Sequence, residues 1–495
     1  MLTGLNRARL LRATMTTAVA LALAGCATVG KDFQAPQNVE AGSFRHAAGT
    51  ADAASLPADW WTVFGDSTLN QLEQSALRDN PSVRAAAQRL VQAQAQLGVA
   101  RSSELPTFNF KTSVDNSRTS ANTPQGIALG HQSISGNDYQ VGVGFSYELD
   151  LWGRVKRSVE AADAQALVAE TDRDGVLLML SAQVATAYWQ LRGLDAETAI
   201  LNNALATRRE SVELVEARFT SGLTNELDLA RARVELANAQ ADLHEVKRQR
   251  NTLEHSLATL TGASPSTALL AEAATPNVLP QPPAIPVGLP ASVLAHRPDL
   301  AGSVASLRAA NAQIGVAEGA FYPSLELTGN YGYASESLRD LAKGGSRQFS
   351  IGPLALSLPI FDGGRNKSNL AVSKARYEEA LANHEGKLLT ALREVEDALS
   401  DVQQRQLQGD AQAQSQEAAA RAYLVARTRY ERGISNYLDV TDAQRSSLSA
   451  DRAAVQIKTQ QLLATVAVAR ALGAGWQGPQ AVAQAAPGNK TVSAQ

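Results

Sequence analysis

The sequence predicts an α + β protein made of two copies of one long unit, each a helix, a β-hairpin, a long coiled-coil helix and a returning helix. Three observations carry this. The first is an internal repeat: Ala95-Gln96-Leu97-Gly98-Val99-Ala100 returns without a gap as Ala312-Gln313-Ile314-Gly315-Val316-Ala317, with Pro81 falling on Pro298 and Pro106 on Pro323. Further along, Arg218-Phe219-x-x-Gly222-x-x-Asn225-x-x-Asp228 matches Arg429-Tyr430-x-x-Gly433-x-x-Asn436-x-x-Asp439. The second is composition. Aromatics make up 5% of 495 residues, too few for three thick globular cores, while Ala, Gln, Leu, Arg and Glu abound, as long helices in close contact require. The third is a change of hydrophobic period, from helical spacing to strict alternation and back, once in each copy.

The N-terminus reads as an export signal. Arg7, Arg9 and Arg12 precede an apolar run from Ala13 to Ala24, too short to span a bilayer as a helix. The run ends in Leu23-Ala24-Gly25-Cys26, and Cys26 is the sole cysteine. That motif resembles the bacterial lipoprotein box, so residues 1–25 are expected to be removed and Cys26 to carry lipid. Ala27 follows the cysteine in place of an Asp, which by the same resemblance implies the outer membrane.

Residues 26–65 form an N-terminal segment and linker holding Trp60-Trp61. The first repeat, 66–288, opens with a helical pattern from Leu69 to Val99. Pro81 interrupts it where a new helix can start, and Pro106 stops it after Glu104. A hairpin follows over 107–150. Phe108, Phe110, Thr112 and Val114 alternate with polar residues, as do Tyr139, Val141, Val143, Phe145, Tyr147 and Leu149, across a polar loop from Asn116 to Asp138. These strands have the length that a tilted membrane-crossing strand needs, which makes the expected class an α + β membrane protein. A small sheet in a soluble protein would show the same alternation. Four strands cannot close a barrel, so in a membrane several chains must pool them.

The second repeat, 289–475, repeats the hairpin over 324–361, with Leu325, Leu327, Tyr331 and Tyr333 in phase. Beyond Phe349 and Ile351 the apolar set slips by one residue, which predicts a bulge at Pro353. Each hairpin hands over to a coiled-coil hairpin, 154–262 or 365–472. One seam runs through Val155, Val159, Ala162, Ala166, Ala169, Val176, Leu180, Val184, Ala187 and Leu191, the other through Leu381, His384, Leu388, Ala391, Val395, Ala398 and Val402. A continuous helix of that length reaches roughly 100 Å at 1.5 Å per residue. Gly222 and Gly433 suit the turns between helices. Residues 476–495, rich in Ala, Gln and Gly, are expected to be a disordered tail.

Chemistry is not visible. The six histidines are scattered, His244-Glu245 lacks the second His of a zinc helix, and neither a phosphate loop nor a nucleophile elbow occurs. An enzyme, a metal site and a cofactor other than the lipid on Cys26 are not expected. A net charge of −3 gives no nucleic-acid surface.

Taken together, Cys26, Trp60-Trp61-x-x-Phe64-x-Asp66, Asn80-Pro81, Tyr147-Glu148-Leu149-Asp150-Leu151-Trp152-Gly153-Arg154, Pro359-Ile360-Phe361-Asp362-Gly363-Gly364-Arg365 and Asn436-Tyr437-Leu438-Asp439-x-x-Asp442-Ala443-Gln444-Arg445 resemble the outer membrane factors. These are TolC-like channels, and the lipid-anchored branch typified by OprM and NodT is most similar. Lys31 departs from that pattern, where many members have Pro. The resemblance implies a homotrimer whose twelve pooled strands form one outer-membrane β-barrel, continued into the periplasm by an α-barrel of twelve coiled-coil helices. It implies a passive exit duct for small molecules such as drugs, docked on a periplasmic adaptor and an inner-membrane pump and closed at its periplasmic end. By position, Asp439 and Asp442 match acidic rings at the constriction, Leu438 an apolar plug and Arg445 a bonding residue of the gate. Tyr430 and Asp228 match groups that lock neighbouring coils. The turns at Gly222-Leu223 and Gly433-Ile434 match the adaptor-facing tips. In a trimer each aspartate becomes a ring of like charges, repelling by about 1 kcal/mol per pair at roughly 8 Å and a dielectric near 40, which attracts cations. The competing reading is a coiled-coil envelope lipoprotein that tethers layers without a pore; it leaves the four amphipathic strands unexplained.

Overall fold

The computed structural model describes residues 28–36, 44–46, 56–270, 278–285, 296–476 and 478, with backbone alone for Pro353 and Leu354. The signal over 1–25, Cys26, and the expected tail apart from Trp476 and Gly478 lie outside them. Trp476 itself is held, its Nε1 donating to Asp174 Oδ2 at 2.9 Å, so the chain stays fixed one residue into the stretch expected to be a tail.

The helices are α1 (Ser67–Asp79), α2 (Pro81–Ser102), α3 (Pro124–Ala128), α4 (Arg154–Thr220), α5 (Glu226–Leu260), α6 (Pro298–Gly319), α7 (Arg365–Glu431) and α8 (Tyr437–Ala471). The strands are β1 (Thr107–Arg118), β2 (Ser135–Leu149), β3 (Ser324–Ser335) and β4 (Arg347–Ser357). Equivalent elements match in length: α2 and α6 have 22 residues, α4 and α7 67, α5 and α8 35. The helix expected to reach Glu104 stops at Ser102, and the strands extend into the polar loop, which holds the short α3. Among the described residues no helix is long and apolar enough to cross a membrane.

The chain divides into two compact units. One comprises Met1–Pro36, Val91–Val168 and Val304–Asn383, and holds the sheet. Its strands lie in the order β1-β2-β3-β4, every pair antiparallel, leaving β1 and β4 as edges. On β4, Gly352 and Pro353 together oppose Thr328 alone, since Leu327 pairs with Leu354 but Gly329 with Ile351. This is the bulge the phase slip predicts. Every residue of β1 is exposed; Phe108, Phe110 and Val114, with Phe349, Ile351 and Leu356 of β4, present apolar side chains that no described residue covers.

The other unit comprises Gln37–Leu90, Ala169–Ser303 and His384–Gln495. Its main core gathers Trp60, Trp61, Phe64, Leu69, Leu72, Leu180, Val184, Tyr188, Trp189, Leu257 and Leu462. The paired tryptophans are therefore a wedge: Trp60 and Trp61 meet edge-on at 6.1 Å, Phe64 lies 5.3 Å from Trp189, and Trp60 Nε1 donates to Ser181 Oγ at 3.1 Å. Asp66 starts α1, accepting from Thr68 and Leu69 N–H at 2.8 and 3.0 Å, while Tyr188 donates to its other oxygen at 2.7 Å.

The two copies solve one problem with different residues. The last carbonyl of α5, Leu260, accepts from Asn80 Nδ2 at 2.8 Å. The equivalent carbonyl of α8, Ala471, accepts from Arg297 Nη1 at 2.9 Å, and the same guanidinium holds Asp299 and Glu394, each at 2.8 Å. Each residue sits just before the proline that opens α2 or α6, so a helix start is tied to a helix end in both copies. The second seam is shorter than expected. His384, Leu388, Ala391, Val395 and Ala398 are buried, but Val402 is 39% exposed and Leu407, Leu424 and Val425 also face outward, because none of the described residues covers α7 there. His384 packs as expected of a seam residue, with Nδ1 2.7 Å from Ser303 Oγ.

Glu73 is the acidic anomaly beside the main core: its side chain is fully buried and neither carboxyl oxygen has a hydrogen-bond partner, as is also true of the indole nitrogens of Trp61 and Trp189. Burial raises its pKa to about 9. The folded chain thus holds a proton that the unfolded chain releases above about 4.5, so this group's contribution falls as pH rises from there toward 9. Glu73→Gln is expected to raise the unfolding temperature clearly at pH 8 and little at pH 5; an equal shift at both would show that the carboxyl is solvated.

Candidate functional site

The two long hairpins turn by the same chemistry. After α4, Gly222 takes φ +68°, its N–H reaching the Phe219 carbonyl at 2.9 Å and Leu223 N–H the Arg218 carbonyl at 2.8 Å. After α7, Gly433 takes φ +73°, its N–H reaching Tyr430 at 2.9 Å and Ile434 N–H reaching Arg429 at 2.9 Å. Both are Schellman motifs, in which the left-handed residue satisfies carbonyls that the helix end would orphan, and glycine alone adopts it without strain. Asn225 and Asn436 then cap the returning helices, each accepting at 3.0 Å from the N–H of Asp228 or Asp439. The apolar residue after each glycine stays outside: Leu223 is 71% and Ile434 63% exposed.

The two turns pack on each other. Val215, Leu229, Ala232, Tyr430, Tyr437 and Val440 form a closed core, with the tyrosine rings 5.3 Å apart. Arg218 crosses from the first copy to the second. Its guanidinium lies 4.7 Å from the Tyr430 ring centre and donates to the Tyr430 carbonyl at 3.0 Å. Burial raises the Tyr430 phenol pKa, against the pull of Arg218, and pushes Tyr437 up to about 12, so both stay neutral. Asp228 turns toward its own copy, accepting from Thr224 Oγ1 at 2.7 Å with Arg231 at 3.6 Å.

One turn of helix further in, charges tie α5 to α8. Glu235, with a side chain 4% exposed, accepts from Arg445 Nε at 2.8 Å and lies 3.4 Å from Arg208, which is equally buried. Burial lowers the Arg208 pKa, whereas the hydrogen bond to Glu235 raises that of Arg445. Seven residues on, Arg452 bridges Glu197 at 2.7 Å and Asp242 at 3.1 Å, so the rungs repeat at heptad spacing along both helices. Beside them lies a cavity of about 210 Å³ of mixed character, lined by Ile200, Thr207, Arg208, Tyr423, Leu448 and Asp451 among others.

The structure therefore sets Tyr430 in the turn core and Arg445 on the Glu235 rung, keeps Asp228 within its own copy, and leaves Leu438, Asp439 and Asp442 on the outside of α8, the last 62% exposed and 3.8 Å from Arg445. Arg218, Arg208, Glu235 and Tyr437 were not singled out from the sequence for this role. Arg218 stands inside the repeated motif and could have been; Glu235 has no local signal. Among the described residues no group of three or more His, Cys, Asp or Glu is placed to hold a metal ion.

A repeated hairpin-and-coil unit carrying amphipathic strands and a turn lock invites comparison with known proteins. The outer membrane efflux protein family matches residues 72–263 and 289–474, most of the chain and one segment per copy. The chain belongs to the outer membrane efflux protein family. It is 33% identical over 462 residues to the outer membrane protein OprJ of Pseudomonas aeruginosa, covering 92% of this chain and 95% of that one. It is 33% identical over 465 residues to the antibiotic efflux pump outer membrane protein ArpC of Pseudomonas putida, covering 92% and 94%. The outer-membrane channel OprN superposes with a TM-score of 0.85 at 31% identity, over 91% of this chain and all of the other. Membership places this protein in the outer membrane, as an efflux channel of the TolC-like class.

Removing the shared carboxylate tests the lock. Glu235→Ala leaves Arg208 buried and unpaired, at an expected cost of about 3 kcal/mol, whereas Arg445→Ala removes a half-exposed partner for about 1 kcal/mol or less. Denaturant unfolding that ranks Arg445→Ala as the more harmful would refute this account.

Proposed function

We propose that three copies of this chain pool their four-stranded sheets into one closed β-barrel and their helices into an α-barrel. This makes a passive exit duct for small toxic compounds in a tripartite efflux system. The observation that carries the reading is the sheet: two unpaired edges and exposed apolar residues on β1 and β4 suit hydrocarbon only if neighbouring copies complete the ladder. The apolar face of α7 beyond Ala398 gives the same chains a second reason to associate. A tethering lipoprotein would have no use for such strands.

In this reading Cys26 carries the lipid, and the hairpin turns lie at the periplasmic end. Leu223 and Ile434, exposed beside Gly222 and Gly433, offer apolar tips to a periplasmic adaptor that links the duct to an inner-membrane pump. Leu438, Asp439 and Asp442 face the axis, where three-fold symmetry turns each into a ring. Rings of carboxylates favour cations and, in a narrow, low-dielectric passage, raise the barrier to anions. The contacts of Tyr430 with Arg218 and of Arg445 with Glu235 hold the second coil inward on the first, while Asp228 braces its own turn through Thr224 and Arg231. Opening the duct means parting α8 from α5, which breaks the Glu235 and Arg452 rungs in turn.

Planar-bilayer recording tests the assignment. The double variant Asp439→Ala, Asp442→Ala is expected to conduct more than the parent protein and to lose block by divalent cations; unchanged conductance and block would remove both residues from the constriction.

A further inference from the structure

The segment immediately after the lipobox is built into the unit that holds the sheet, and conduction makes no use of it. Thr28–Pro36 forms no helix or strand, yet its backbone groups are taken up one after another. Val29 N–H donates to the Trp152 carbonyl at 2.9 Å. Arg157 of α4, with a side chain only 4% exposed, gives Nη2 to the Gly30 carbonyl at 2.9 Å and to Asp32 Oδ1 at 2.8 Å, and Nε to the Val29 carbonyl at 3.3 Å. Its remaining nitrogen meets Glu160 at 2.7 Å. Asn311 of α6 donates to the Lys31 carbonyl at 2.9 Å. Gly30 sits at φ +89°, and a Cβ there would lie 2.8 Å from the Cα of Gly315, so two backbones meet where side chains are excluded. A guanidinium this buried is costly unless its donors are satisfied, and here three of its contacts are to the N-terminal segment.

We propose that Arg157, Asn311 and Gly315 form a dock for the mature N-terminus, which fixes the acylated residue at the foot of the strands. The proposal rests on the reading that Cys26 is lipidated. Residue 26 precedes Thr28 by two positions, hence by no more than about 8 Å of chain. Thr28 packs on Gly153, whose added Cβ would come within 2.7 Å of its Cγ2, directly after β2. Beside it Trp152 lies 5.0 Å from Tyr322 and donates Nε1 to the Pro323 carbonyl at 2.8 Å, just before β3. Indole and phenol side by side are characteristic of the membrane–water interface. The dock thus delivers the acyl chains to lipid next to β2 and β3, and makes the anchor a fixed part of the protein where a bare linker would leave it a loose tether. It also joins α4 of the first copy to α6 of the second, so Arg157 and Asn311 are positioning residues for the lipid.

Trypsin digestion of the full chain in membranes tests this. The Lys31–Asp32 bond carries dock hydrogen bonds on both sides and must come free before a protease can cut it. Wild-type protein is expected to resist cleavage there, Arg157→Ala to be cut at least about tenfold faster, releasing a chain that begins at Asp32, and Asp32→Asn to fall between. Asp32 is 91% exposed, so that variant keeps the test open if Arg157→Ala fails to fold. Equal cleavage of wild type and Asp32→Asn, with Arg157→Ala no faster, would overturn the dock. The mass of the N-terminal peptide reads acylation separately: an unmodified Cys26 would overturn the anchor, while a modified Cys26 with a freely cut Lys31 would overturn the dock alone.

Discussion

A strand edge in hydrocarbon has nowhere to place its N–H and C=O groups, and the proposed barrel would put two edges of this chain there, β1 and β4. The rest of the design follows from that constraint. Edges can be protected by charge, by proline, by a covering helix or by closure. Here no described residue covers the sheet and the edge strands carry Phe108, Phe110, Val114, Phe349 and Ile351 in the open, which favours the proposed closure by further copies. In the proposed trimer each chain would also bring its own share of a helical tube, a role that the 67-residue helices following β2 and β4 in both copies suit.

The duplication supplies near-symmetry without identity. Helix lengths agree across the copies, and the hairpin turns at Gly222 and Gly433 use one capping scheme down to the asparagine that starts the returning helix. The differences fall where the copies do different work. Asn80 suffices to tie α5 to the start of α2, whereas Arg297 at the equivalent place also gathers Asp299 and Glu394. At the tips, Asp439 and Asp442 lie on an exposed face of α8, while first-copy Asp228 is turned inward to Thr224 and Arg231.

Much of this was legible in the residues because the signals are local. Alternation marks the strands, a one-residue slip of phase marks the bulge at Pro353, and glycine followed by asparagine marks each helix turn. What was hidden depends on partners that only the fold brings together. Glu235 has the helical surroundings of any surface carboxylate, and only the fold shows it buried between Arg208 and Arg445. Glu73 shares a helix face with Leu69, Leu72 and Ala76, but a carboxylate gives no local sign that this face is fully buried. The seam through Val402 failed for the opposite reason: its apolar spacing is genuine, but no described residue packs over it.

Native mass spectrometry of the detergent-extracted protein bears most directly on the claim that the sheet edges force association. The account predicts a single assembly of three chains that withstands dilution. A stable monomer, with its strands still folded, would contradict it.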